Sequence, residues 1–221
     1  MVVAGAWLAT PRVSAATRCP AGAGGADALA GLDGEVRLRW IDTHLATTAH
    51  RARLWTWSWG TGIVAATIGN LVPLPFVAKQ DRIDWYVGAG TTIVGIVPLV
   101  IAPLEVVKDS RELRARLGDP AGLGPGVPPS DVCVLLADAE ARLVRDAQNQ
   151  VDGQRWWLHV GNVLLNSGVG LFLALGYHHY GAGAFNAIFG SAIGEAIILT
   201  QPTGSIDDLA SYRRGALGAG P

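Results

Sequence analysis

Charge is scarce in this chain. Only 16% of its 221 residues are Asp, Glu, Lys or Arg, against about 25% in an ordinary soluble domain. The scarcity is also uneven. No formal charge falls between Leu54 and Ala78, none between Trp85 and Leu104, and none from Trp156 until Glu195. Runs of that length argue against a soluble helical core, whose helices average about 10–14 residues. The net charge is −1, so no basic field attracts nucleic acid and no nucleic-acid partner is expected. Cysteine is scarce too. Cys19 and Cys133 stand alone, with no CxxC pair, no zinc-ligand spacing and no phosphate loop with its lysine. No metal centre and no cofactor are implied.

What the chain does have is apolar length. Half of its residues are hydrophobic, and many of its 29 glycines lie inside apolar runs, as is common in membrane helices. A crossing needs roughly 20 apolar residues. The runs predict four spans, near residues 54–76, 85–104, 156–176 and 184–200. The last two share one uncharged stretch, divided at the polar, turn-like Tyr177-His178-His179-Tyr180-Gly181. Trp55, Trp57 and Trp59 open the first run, Trp85 and Tyr86 the second, and Trp156 and Trp157 the third. Amphipathic rings favour the headgroup level. The expected fold is all-α: an integral membrane four-helix bundle with polar helical extensions outside the bilayer.

The two halves resemble each other. Asp33-Gly34-Glu35-Val36-Arg37-Leu38 parallels Asp138-Ala139-Glu140-Ala141-Arg142-Leu143, and Arg53-Leu54-Trp55 parallels Arg155-Trp156-Trp157. Gly95 precedes Pro103 by the interval that separates Gly194 from Pro202. Each half then reads as polar helix, span, turn, span, polar helix, and two crossings per half make the repeat parallel rather than inverted. The expected organisation is a signal peptide at 1–15, a first repeat at 16–117, a Gly/Pro-rich linker at 118–129 and a second repeat at 130–221. Leu38, Ile41 and Leu45 share one face of the first polar helix. Val132, Leu136, Ala139, Leu143 and Ala147 share one face of the second. Both are candidates to continue into the following span, although Gly153 weakens the second join.

Orientation is pulled two ways. Apart from Lys79 and Arg82, the basic residues lie before the first run, between the second and third, or in the tail. The positive-inside rule would make that side cytoplasmic. The N-terminus argues for the opposite. Val2 to Leu8 is apolar but too short to span, and Val13-Ser14-Ala15 has the small residues of a cleavage site, although a basic n-region is missing. Cys19 and Cys133 fall on one side in either topology, and an even cysteine count outside the cytosol suggests a disulfide. The favoured expectation is a bacterial inner membrane protein with its N-terminus, central segment and C-terminus outside the cytoplasm.

Glu195 is the polar residue of most interest. It follows Gly190-Ser191-Ala192-Ile193-Gly194, a spacing that lets helices approach closely, and ionisable groups within spans are costly. His159, Asn162 and Asn166 share a face of the third span and are its candidate partners. This intramembrane polar cluster is the candidate binding site; no catalytic residues are assigned. His178 and His179 read as an interfacial turn rather than a metal site, and Asn70 as a packing contact. Three functions compete. The favoured one is a non-catalytic scaffold, assembly or sensory component, whose partners are the bilayer and another membrane protein or a second copy. The alternatives are a small proton- or ion-linked transporter or channel using Glu195, and an intramembrane enzyme. The reading leans away from an enzyme because no nucleophile–base pair is evident.

Overall fold

The computed structural model describes residues 16–20, 27–101, 104–118 and 129–218. The expected signal peptide at 1–15 and most of the expected linker at 118–129 lie outside these residues. Among the described residues the chain is all-helical, with no strand. The long elements are α1 (Gly34–Leu71), α2 (Arg82–Ile101), α3 (Glu105–Leu117), α4 (Pro129–Asp152), α5 (Trp156–Gly176), α6 (Tyr180–Phe185), α7 (Ser191–Leu199) and α8 (Gly204–Arg213). A five-residue π segment, Asn186–Gly190, joins α6 to α7 without a break in direction.

The helices sort into a head and two hairpins. The head combines the N-terminal half of α1 with α3, α4 and α8. Its core contains Leu38, Ile41 and Leu45 from α1 and Val132, Leu136, Ala139 and Leu143 from α4, with Leu113 from α3 and Tyr212 from α8. These are the two apolar faces read from the helical spacing, now packed on each other. Asp33 starts α1: its carboxylate accepts from the Glu35 amide at 2.8 Å, satisfying one of the free N–H groups of the first turn. The segment at 16–20 lies across that start. The Gly34 amide donates to the Thr17 carbonyl at 2.8 Å, and a Cβ on Gly34 would stand 2.7 Å from Cys19 Sγ. Cys19 and Cys133 are joined by a disulfide, with Cα atoms 5.3 Å apart. It ties the N-terminal segment to α4.

The hairpins project from the head. The C-terminal half of α1 packs on α2, and α5 packs on α6 and α7. The two hairpins make at most sparse backbone contact with each other. Two helical stretches, Asp131–Gly176 and Tyr180–Arg213, taken across the short breaks within them, are long and apolar enough to cross a membrane. The outer part of α1 is less apolar, because Trp55, Trp57, Ser58, Trp59, Thr61 and Asn70 dilute its aliphatic residues.

Several boundaries differ from the expected ones. The first apolar run is helical only to Leu71, because Pro73-Leu74-Pro75 follows and proline cannot continue the hydrogen-bond ladder. The expected continuation of the polar helices into the apolar runs is realised in one half only. α1 runs unbroken through head and hairpin for 38 residues. α4 stops at Asp152, and a turn at 153–155 precedes α5. At that turn Gln201 is pressed against Gly153, where a Cβ would meet its amide nitrogen at 2.3 Å.

Candidate functional site

The polar residues of the second hairpin come together. α5 places His159, Asn162 and Asn166 one turn apart on one face, and α7 places Glu195 opposite them. His159 Nδ1 is hydrogen-bonded to Glu195 Oε2. Asn162 Nδ2 donates to Glu195 Oε1 at 2.9 Å and to the Ser191 carbonyl, also at 2.9 Å. Asn166 Nδ2 donates to Asn162 Oδ1 at 2.9 Å. Both carboxylate oxygens of Glu195 are thus taken by α5. The glycines make this approach possible. A Cβ on Gly190 would lie 2.0 Å from Asn166 Oδ1, and one on Gly194 would lie 1.9 Å from Asn162 Oδ1. Larger side chains would push the two helices apart and break the set.

A second close approach lies further along the hairpin. A Cβ on Gly170 would stand 2.6 Å from the Gly183 carbonyl oxygen, and one on Gly183 would stand 2.5 Å from that of Gly170. The backbones of α5 and α6 therefore touch. The glycine spacing around Gly190 and Gly194 was legible in the sequence; this pair was not, because its members belong to different helices.

Side-chain hydrogen bonds join the two hairpins at both ends. At the head end, Trp55 Nε1 and Trp59 Nε1 of α1 donate to Thr200 Oγ1, at 3.1 and 3.0 Å. At the far end, His179 Nδ1 lies 2.7 Å from Asp84 Oδ1. The two histidines of the expected interfacial turn therefore differ in role. His179 holds the first hairpin, while His178 adopts a left-handed backbone and its ring lies beside Tyr180. Asn70 donates to the Ala66 carbonyl at 2.8 Å, and its side chain packs where a Cβ on Gly88 would sit.

Between those end links lies a cavity of about 790 Å³. One wall is α1 and α2, with Trp59, Ile63 and Gly95; the other is α5 and α7, with Leu165, Ile193 and Ile197. Asn149, Asp152 and Gln201 line it at the head end, and Asn162 and Asn166 lie deeper.

The head contains charged groups that the apolar periodicity did not reveal. Arg37 is fully buried and pairs with Glu140, which is 1% exposed. Arg37 Nε also donates to Tyr212 Oη at 2.9 Å, and Tyr212 donates to Glu140. Burial works against the charge on Arg37, but the bonds to Tyr212 and Glu140 outweigh it and hold the guanidinium above its ordinary pKa. Burial pushes the Tyr212 phenol up, and its bond to Glu140 adds to the shift. Arg142 pairs with Asp109 at 2.7 Å, with Asp138 at 2.8 Å and with Glu112 at 2.9 Å. His44 Nδ1 lies 2.7 Å from Asp208 Oδ1, and Thr48 donates to Asp208 Oδ2. Asp146 is the exception. It is buried, and neither carboxylate oxygen has a hydrogen-bond partner among the described residues.

Neither the family models, the curated proteins nor the solved structures hold a match to this chain.

Proposed function

We propose that the chain is a multi-pass membrane protein with four crossings, built from two tandem helical-hairpin repeats, and that it acts as a non-catalytic scaffold, assembly or sensory component. The observation that carries the functional part is the clasp at Glu195. Its two oxygens are engaged by His159 and Asn162 of the neighbouring helix. Hydrogen-bonded groups within a span that close on one another serve helix packing.

Four crossings are supported by the matching layout of the hairpins. Each starts at the head with tryptophan, and each presents exposed apolar side chains such as Val64, Ile68, Leu164 and Leu171 to its surroundings. The repeat is supported by crossed pairing in the head. Asp109 of α3 reaches Arg142 of α4 in the other half, and Asp208 of α8 reaches His44 of α1. The interval from Asp109 to Asp208 is the one from Gly95 to Gly194. The disulfide supports a head outside the reducing cytosol, which in a bacterium places it beyond the inner membrane.

Two measurements test this. An alkaline wash of membranes carrying the protein should leave it in the pellet; release into the supernatant would defeat the membrane reading. In reconstituted vesicles under a pH gradient, wild-type protein and Glu195→Gln should both give the proton flux of empty vesicles. A wild-type flux that Glu195→Gln abolishes without loss of protein would replace the scaffold with a proton-linked transporter.

A further inference from the structure

We propose that the cavity between the hairpins is a lipid site, holding one hydrocarbon chain of a membrane lipid with its polar end at the head. This rests on the membrane reading above. The space is held open at both ends. Trp55 and Trp59 on Thr200 fix the hairpins at one end, and His179 on Asp84 fixes them at the other. Between those links the walls formed by α1 and α2 and by α5 and α7 enclose about 790 Å³. Protein interiors are close-packed, and a void forfeits contacts with every atom that lines it. A space of this volume is within the roughly 300–1,000 Å³ of ligand pockets.

The cavity walls at span depth are mainly aliphatic and aromatic, and apolar cavities stay dry and take up apolar molecules. Inside a bilayer the abundant apolar molecule is a lipid chain. The lining also has a direction. Asn149, Asp152 and Gln201 stand at the head end, beside the tryptophans expected at headgroup level, whereas Ala66 and Ile193 lie deeper with Thr91 and Thr92, whose hydroxyls donate to carbonyls of their own helix. That gradient matches an amphiphile entering tail first. Asn162 and Asn166 do not oppose it, because Asn162 donates its amide N–H groups to Glu195 and Ser191, and Asn166 donates its own to Asn162.

Two glycines make the site testable. Gly62 and Gly95 line the cavity, and a Cβ on either meets nothing within 4 Å. Gly62→Leu and Gly95→Leu should therefore fold and fill the space. Gly168 of α5 is exposed, lies outside the cavity and is equally open, so Gly168→Leu is the control. Protein extracted from membranes and exchanged into detergent is analysed by mass spectrometry of bound lipid. Wild type and Gly168→Leu should retain one lipid per chain, and the two cavity variants about tenfold less. A lipid-free wild type, a lipid-free dimer with a helix of the second copy in the cavity, or cavity variants that retain wild-type lipid would overturn the proposal. Wild-type protein in phosphatidylcholine vesicles carrying a photoreactive acyl chain supplies a measurement independent of the variants. Labelling should concentrate at Ile193 and Ile197 on the cavity wall; labelling confined to outward residues such as Leu164 and Leu171 would overturn it. Loss of the protein from alkali-washed membranes would instead defeat the membrane reading, so the two failures are told apart.

Discussion

Arg37 and Glu140 meet in the centre of the head, with side chains 0% and 1% exposed, and they join the two halves of the chain through α1 and α4. Removing one member leaves the other charged, buried and unpaired. Arg37→Met or Glu140→Leu should each destabilise the protein by about 3–5 kcal/mol. The double variant should lose much less than the sum, because no orphan charge remains. Chemical unfolding followed by tryptophan fluorescence gives the cycle; additive losses would mean that the two groups act independently.

The Cys19–Cys133 disulfide closes a loop with a sequence separation of 114 residues. Cross-links over long loops restrict the unfolded chain most, and loss of this one should cost about 2–5 kcal/mol. Cys19→Ala should lower the unfolding midpoint as much as reduction does. Mass mapping of protein prepared without reductant should find the cross-linked peptide. Free thiols at both positions would remove the support for a head outside the cytosol and favour the positive-inside orientation.

Asp146 is pushed up to about 8, first by burial and then by the nearby charges of Asp109 and Glu105, with Arg145 and Arg142 opposing. The folded chain therefore holds a proton that the unfolded chain releases near 3.8. The contribution to stability is full below that lower value, falls as pH rises, and is lost by about pH 8. Asp146→Asn should flatten the decline in unfolding midpoint between about pH 4 and pH 8 and should stabilise the protein at the upper end of that window. Counted from the match of Asp33 with Asp138, Asp146 stands where the first half has the buried Ile41. Asp146→Ile should stabilise similarly. An unchanged slope in both variants would show that this carboxyl does not control it.

The contact of Gly170 with Gly183 leaves no space for a side chain on either helix. Gly170→Leu should splay α5 from α6 and cost about 1–3 kcal/mol, the usual range for overpacking. Gly161→Leu, at an exposed position on α5 with nothing within 4 Å, should cost little. Thermal unfolding in detergent compares them, and equal losses would show that the close approach does not limit packing.

The parts of the fold readable from the sequence are those set by local chemistry. α5 begins at Trp156 and ends at Gly176 as the uncharged run implies, because its limits follow from the loss of apolar side chains. Cys19 and Cys133 pair, and Glu195 meets His159 and Asn162, because each set had few possible partners. The burial of Arg37 was not legible, because an arginine beside an apolar face reads as solvated until its partner is known. Tyr212 escaped notice for a similar reason: it lies in a short tail helix, yet is fully buried. The bond between Asp84 and His179 depends on how two separate turns sit together, which no local pattern encodes.

α1 has a consequence for how force passes through the molecule. Its 38 residues form one rod of about 57 Å, anchored in the head by Arg37 and in the hairpins by Trp59. A torque on the head therefore tilts the first hairpin directly. The second hairpin joins the head through two short breaks instead, the turn at 153–155 after α4 and the segment at 200–203 before α8. One half is thus carried on a single continuous rod and the other on two breaks, and the rod steadies the second hairpin where Trp55 and Trp59 donate to Thr200.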